Sequence, residues 1–179
     1  MRGKILIFVA VMACSQGLAR VSNRHVGRFL ASRLRISLGT VNSLLASPSS
    51  ISFQASNPNG GVVSGSSPAS LSWAIPDGSN LKTWTLSVQA DSSTFSGCPS
   101  IPISAVVVSC GSASGGGGAT GTCSGSFPLS TTPQQIAGGA QGDAANSYFV
   151  SANFTLAESW HYVAKSSCSI TLTYSVNAQ

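Results

Sequence analysis

The clearest structural signal in this chain is Thr83-Trp84-Thr85-Leu86-Ser87-Val88-Gln89-Ala90, in which polar and apolar side chains alternate without a break. Successive side chains of a β-strand point to opposite faces, so a period of two is typical of a strand that buries one face. The stretch is therefore predicted to be a half-buried strand.

The same pattern recurs on both sides of this stretch. Alternating segments cover residues 51–55, 71–75, 148–156 and 168–176, and residues 103–109 form a β-branched run typical of a central strand. Helix formers seldom come together after residue 46, and Gly and Pro separate the segments. About seven strands of this kind predict an all-β fold, an antiparallel β-sandwich with an immunoglobulin-like outline.

The segments between the predicted strands contain turn residues. Pro76-Asp77-Gly78-Ser79-Asn80 separates the strand at 71–75 from the one at 84–90, which predicts that these two strands form an antiparallel hairpin. Residues 111–121 are mostly Ser and Gly, and residues 131–146 are polar with one Pro and three Gly. Both stretches are interpreted as loops.

Charge is distributed very unevenly along the chain. Of nine Lys and Arg, seven lie in the first 35 residues, and no acidic residue precedes Asp77. From residue 47 onward, two lysines oppose four acidic residues, so this part carries 2 minus 4, a formal charge of −2. Because the positive charge does not belong to the predicted domain, we do not expect a nucleic acid as its partner.

The N-terminus has the features of an export signal. Arg2 and Lys4 precede the apolar run 5–13, and Gly17-Leu18-Ala19 places small residues at the cleavage positions. This order predicts a secretory signal peptide over residues 1–19. The run is shorter than the roughly 20 apolar residues of a membrane span, and no later stretch is long enough, so no transmembrane span is predicted. A lipid anchor at Cys14 is the alternative, because residues 11–14 look like a degenerate lipobox.

Residues 20–46 are interpreted as a basic leader or linker outside the fold, with the β-sandwich domain spanning residues 47–179. Arg20, Arg24 and Arg28 recur at helical spacing, so an amphipathic helix on a membrane surface is one alternative, and an organellar transit peptide is another.

Four cysteines follow the leader, and an even number in an exported chain predicts two disulfides with three possible pairings. Spacing favours Cys110 with Cys123 across the Gly-rich stretch, and Cys98 with Cys168. No pair has the C-x-x-C spacing typical of zinc sites, so we expect neither a metal nor another cofactor.

Candidate catalytic residues are few. His161 is the single histidine after the leader, and it alternates with Trp160 and Tyr162, which predicts a solvent-facing side chain. A triad with Glu158 and a serine lacks the G-x-S-x-G turn, and Asp77 and Asp91 lie in turn-like contexts. The chain is therefore predicted not to be an enzyme.

Two strands carry a family resemblance. The segments Thr83-Trp84-Thr85-Leu86-Ser87-Val88 and Leu172-Thr173-Tyr174-Ser175-Val176 resemble the signature strands of WxL-type bacterial surface domains. That resemblance implies an exported, β-rich protein that attaches non-covalently to the cell wall. It marks Trp84, Leu86 and Tyr174 as possible ligand contacts, although their alternation equally fits core positions.

The sequence therefore predicts a secreted, non-enzymatic structural or binding protein of the cell surface or cell wall. Its expected partners are peptidoglycan, other wall polysaccharide or other surface proteins. Only two lysines are available to guard the sheet edges of the predicted domain, which favours self-assembly. One alternative is a fimbria-like subunit that assembles by strand addition, with the hydrophobic residues of 20–46 as donor. Another is a carbohydrate-binding module, which requires an exposed Trp73 or Trp160.

Overall fold

The computed structural model describes residues 5–7, 41–54, 61–159, 162 and 168–179. In these ranges the chain forms fourteen β-strands. They are β1 (Ile5–Ile7), β2 (Asn42–Ser47), β3 (Ile51–Phe53), β4 (Gly61–Ser64), β5 (Ala69–Gly78), β6 (Thr83–Ala90), β7 (Thr94–Phe95), β8 (Cys98–Pro102), β9 (Val106–Gly115), β10 (Thr122–Cys123), β11 (Phe127–Pro128), β12 (Gln134–Ala140), β13 (Ala144–Glu158) and β14 (Leu172–Ala178). A short 3-10 turn, Ile103–Ala105, precedes β9.

Two antiparallel sheets make up the body of the molecule. The first has the strand order β10-β12-β6-β14, and the second has the order β11-β9-β13-β5-β2 with β4 also paired to β13. Two small pairs, β1 with β3 and β7 with β8, complete the described structure. The predicted all-β antiparallel sandwich is confirmed, with more strands than expected because many are only two to four residues long. The immunoglobulin-like outline stays a prediction.

The core lies between the inner faces of the two sheets. In β6 the alternation appears as burial of every second residue, and Trp84, Leu86 and Val88 are fully buried. Trp73 of β5 meets Trp84 from the opposite sheet with ring centroids 5.1 Å apart. The alternation in the sequence therefore corresponds to alternate burial in the structure, because each strand buries one face in the core that the two sheets share.

The predicted hairpin between β5 and β6 is wrong. β5 pairs with β13 and β2, whereas β6 pairs with β12 and β14, so the two strands belong to different sheets. The turn between them carries the chain from one sheet to the other. Trp73 and Trp84 then face each other across the core, whereas a hairpin would place both in one layer.

The two stretches interpreted as loops are partly strands. β9 continues to Gly115, and residues 134–140 form β12, which pairs with β6. A register shift between Gln135 and Ala137 turns both Ile136 and Ala137 into the core. This bulge removes the alternation that would reveal a strand in the sequence. Conversely, residues 103–105 form a 3-10 turn, and the last strand begins at Leu172.

The sandwich begins before residue 47. β2 starts at Asn42 and pairs with β5, and Val41 and Leu44 are buried, so part of the segment interpreted as a leader belongs to the fold. Most of residues 1–40, including Cys14, lies outside the described residues, as do Trp160 and His161. The signal peptide over residues 1–19 stays a prediction. No helix in the described ranges is long and apolar enough to cross a membrane.

Candidate functional site

The outer faces of both sheets are almost free of charge. One row across the second sheet consists of Ser47, Ser70, Ser151 and Ser112 on four neighbouring strands. The charged residues in the described ranges all lie at or beside strand ends: Asp77, Lys82, Asp91, Asp143 and Glu158. The faces themselves therefore offer hydroxyl and amide groups rather than ions.

One apolar pair interrupts this hydroxyl surface. Leu45 and Phe149 lie on opposite sides of Ser72 in the strand register and are 48% and 41% exposed. Ser114 lies beside Phe149 on the next strand. An exposed aromatic ring among hydroxyls is the kind of surface on which a sugar ring stacks.

The core closes at one end with an aromatic cluster, here named the aromatic end and defined by Trp73, Trp84 and Tyr148. The centroid distances among the three rings are 5.1 to 5.6 Å. Trp84 donates a hydrogen bond from Nε1 to the Thr120 carbonyl at 2.9 Å, and the Tyr148 hydroxyl donates to the Gln141 carbonyl. Aromatic packing and hydrogen bonds thus seal this end together.

A buried polar network surrounds the aromatic end. Asn146 Nδ2 donates to the carbonyls of Gln141, Asp143 and Ala144 at 3.1 to 3.3 Å. The side chain of Gln141 donates to the carbonyls of Thr83 and Gln179. Burial raises the pKa of the Tyr148 hydroxyl, and a hydrogen bond with Asn146 lowers it by less. Because these groups bond to one another, they leave little capacity for binding a ligand.

The glycine at position 142 makes this network possible. Its φ of +71° lies in the left-handed region, and a Cβ there would meet the Ala119 backbone nitrogen at 2.5 Å. Glycine adopts this conformation without a steric penalty. The loop can then place the Gln141 carbonyl against Tyr148.

The opposite end of the core is apolar, with mostly aliphatic side chains, and forms a groove, here named the β3 groove. Its lining consists of Ile51, Phe53, Val106, Leu129, Phe154, Ile170 and Leu172. With β1 paired to β3, the cavity left there is about 10 Å³, about enough for one water molecule. The groove has no room for a small-molecule ligand in this state, since such sites usually measure about 300 to 1,000 Å³.

The backbone of β3 explains how another strand can pair at its outer edge, beside this groove. Ser52 donates its N–H to Ser66 Oγ at 3.1 Å and accepts a bond from the Ser66 N–H at 2.9 Å. The N–H and C=O of one strand residue point to the same side, so those of Ile51 and Phe53 point to the other side. There β1 pairs antiparallel, with Leu6 opposite Ser52. The outer edge of β3 is thus an acceptor for an apolar strand.

A second edge lies at β14, the last strand of the first sheet in the described residues. It pairs with β6 over seven residues without a register shift and contains no charged residue and no proline. Natural β-proteins usually protect such edges with Lys, Pro or bulges, because an open edge recruits other chains. β14 carries none of these devices.

The residues marked by the family resemblance lie in the core. Trp84 and Leu86 are 0% exposed and Tyr174 is 1% exposed, so they do not present a surface to a ligand. Their two strands are neighbours, with Tyr174 opposite Val88 and Val176 opposite Leu86. Trp73 is also buried and packs on Tyr148, so it does not form the exposed platform that a carbohydrate-binding module requires.

The cysteines are joined as spacing favours. Cys98 bonds to Cys168 and Cys110 to Cys123, with Cα–Cα distances of 5.3 and 5.4 Å. Two disulfides fit an oxidising compartment. Cys168 of the first bond lies two residues before Ile170 of the β3 groove, and the second bond joins β10, an edge strand of the first sheet, to β9 of the second sheet.

Sequence reasoning missed the β3 groove. Its lining residues come from β3, β9, β13, β14 and the segments just after β11 and just before β14, so no local motif marks it. The alternation of Ile51 and Phe53 was the available signal, but it does not reveal which strand pairs with them. Among the described residues no group of three or more His, Cys, Asp or Glu is placed to hold a metal ion.

No protein-family model, no curated protein and no solved structure matches this chain.

Proposed function

We propose that this chain is a secreted, non-enzymatic structural protein of the bacterial cell surface or extracellular matrix that assembles by strand addition. The observation that carries the proposal is the pairing of β1 with the outer edge of β3 beside an apolar groove. β1 lies inside the predicted signal peptide. Removal of that peptide would open both the edge and the groove to another chain.

The rest of the surface supports an assembling role. β14 is a long edge without the usual protection, and the outer faces carry hydroxyl groups instead of charges. Two disulfides stabilise each subunit independently of its neighbours. Main-chain hydrogen bonds give affinity in strand addition, and side-chain pockets give specificity.

A test compares the exported chain alone and with a competitor. The exported protein is purified, its mature N-terminus is read by mass spectrometry, and its sedimentation is measured over a wide concentration range. We expect oligomers whose size grows with concentration, and filaments or sheets in the electron microscope. A peptide with the sequence of residues 4–10 should reduce assembly, whereas a scrambled peptide should not.

A monomer at every concentration, from a chain whose residues 1–19 are shown to be absent, would contradict this proposal. Assembly that the peptide does not reduce would move the contact away from β3.

The apolar pair on the second sheet favours a second function, binding of wall polysaccharide. Phe149 and Leu45 flank Ser72 on an uncharged hydroxyl face, and the family resemblance points to the same class of ligand. The test is co-sedimentation with isolated cell-wall sacculi, with unrelated polysaccharide particles as control. Phe149→Ala should reduce pelleting, and Leu81→Ala, at a fully exposed turn residue, should not. Failure to pellet with sacculi would remove this second function.

A further inference from the structure

We infer that residues 34–38 of a second copy of this chain add as an antiparallel strand at the outer edge of β3, an inference that rests on the proposed assembly. The site is the β3 groove after removal of residues 1–19. The occupant is a segment that precedes the described sandwich.

The sequence of this segment suits the site. Arg33-Leu34-Arg35-Ile36-Ser37-Leu38 alternates apolar and polar side chains, so as a strand it presents three apolar side chains on one face. β1, which holds the edge in this structure, is also a short apolar strand and runs antiparallel to β3. Its Ile5 and Ile7 lie opposite Phe53 and Ile51, the two inward positions of β3. The segment repeats this spacing of two with Leu34, Ile36 and Leu38.

The position of β2 favours a second copy over the same copy. Asn42 pairs with Ala74, next to Trp73 of the aromatic end, and Ser47 pairs with Ser70 toward the other end. β2 therefore begins at the end of the sandwich away from the β3 groove, and residues 34–38 shortly precede it in the sequence. Position 38 lies four residues before Asn42, and four residues span at most about 14 Å. To reach β3 of the same copy the segment would have to run back along the whole length of β2, whereas β3 of a neighbouring copy carries no such requirement.

Charge complementarity adds to this argument. Residues 20–46 carry five arginines and no acid, whereas residues 47–179 carry a formal charge of −2. Arg33 and Arg35 alternate with the apolar side chains, so in the added strand they remain on the outward face. The basic segment of one copy and the weakly acidic body of another attract each other, and this attraction raises the rate of association.

The register can be tested by disulfide trapping. Ser52 directs its backbone groups to Ser66, so any residue opposite it on the outer edge forms a non-hydrogen-bonded pair, with Cα atoms about 4.5 Å apart. This distance lies in the range that disulfides span. With Ser37 opposite Ser52, Ile36 lies opposite Phe53 and Leu38 opposite Ile51. With Arg35 there, Leu34 and Ile36 take those positions.

The trapping experiment mixes two exported full-chain variants under mild oxidation, one with Ser37→Cys and one with Ser52→Cys. We expect a disulfide-linked dimer, and Arg35→Cys in place of Ser37→Cys tests the register shifted by two residues. Ser49→Cys, at an exposed turn position beside β3, is the matched control and should not be trapped. No trapped dimer with either partner would overturn the inference, and so would closure within one chain in the Ser37→Cys/Ser52→Cys double variant.

An affinity experiment separates this inference from the proposed function. Ile36 faces inward in both registers, so Ile36→Asp places a charge in an apolar groove and should weaken association by at least about 100-fold. Ser32→Asp introduces the same charge outside the segment and should change association by less than about threefold. If the wild type assembles and Ile36→Asp assembles equally well, the donor is another segment and the assembly function stands. If the wild type does not assemble, the function itself fails.

Discussion

The two ends of the sandwich core differ in how they are closed. At the aromatic end, Trp73, Trp84 and Tyr148 pack on one another, and a hydrogen-bond network satisfies the polar groups around them. At the other end, mostly aliphatic side chains and two phenylalanines meet at the β3 groove, and the three-residue strand β1 pairs with the edge. The difference indicates that one end stabilises the fold from within the domain, whereas the other depends on an added segment for its cover.

The largest expected difference between the ends comes from removing one aromatic side chain at each. Trp84→Ala should lower the free energy of unfolding by an amount at the upper end of about 3–5 kcal/mol, because Trp84 is fully buried between two rings and holds the Thr120 carbonyl. Phe154→Ala in the β3 groove should cost an amount at the lower end of that range, because the groove can adjust at its open side. Urea unfolding of both oxidised variants measures the difference. Equal losses would contradict the proposed contrast between the ends.

Removing a disulfide should give the next largest effect. The two disulfides should differ in their contribution, because they close loops of different length. Replacing Cys98 and Cys168 by alanine opens a loop of 70 residues, and replacing Cys110 and Cys123 opens one of 13. The chain-entropy model gives losses of about 4 and about 3 kcal/mol. Thermal unfolding of the two double variants measures these losses, and mass spectrometry confirms that the remaining disulfide is intact in each variant. A larger loss from the shorter loop would show that the bond between the two sheets stabilises the fold more than the bond beside the β3 groove.

The smallest effect concerns a tyrosine hydroxyl. Tyr174 is buried, its hydroxyl has no hydrogen-bond partner among the described residues, and burial raises its pKa. Tyr174→Phe should therefore change the free energy of unfolding at pH 7 by less than about 1 kcal/mol, in the stabilising direction. Tyr148→Phe, which loses the bond to the Gln141 carbonyl, should cost about 1 kcal/mol.

The same tyrosine predicts a dependence on alkaline pH. The unfolded chain releases the hydroxyl proton near pH 10, whereas the folded chain retains it, so stability falls as pH rises above about 10. Tyr174→Phe should reduce this fall, since Tyr148 then contributes the remaining buried hydroxyl. Urea unfolding between pH 7 and 11 measures both slopes. An unchanged slope in Tyr174→Phe would mean that its hydroxyl is accessible to solvent.

Local alternation was sufficient to predict the strands that form the core. It identified β6 and most of β13 because each buries every second side chain. It failed for β12, where a bulge at Ile136 interrupts the alternation and two glycines give the segment a composition typical of a loop. A turn sequence also does not tell whether two strands pair in one sheet or face each other across two, which is why β5 and β6 were assigned to a hairpin.

The candidate site was less predictable than the fold. The cysteine pairing could be predicted from spacing, because Cys110 and Cys123 flank the Gly-rich stretch and the other two cysteines then remain for each other. The β3 groove did not, because its lining assembles from strands distant in sequence, and the partner of an edge is a property of the whole sheet. Trp84 and Tyr174 show how far a short motif leads, since it marked them as possible ligand contacts while their alternation favoured the core, where they are buried.

The placement of the charged residues at strand ends has a consequence for neighbouring copies. Where two copies meet through these hydroxyl faces, the charged residues of the described ranges lie at the margins of the contact and not within it. Contacts between hydroxyl groups are not screened by ions, so packing of these faces should depend weakly on ionic strength. Contacts made by the basic N-terminal segment should weaken as the salt concentration rises.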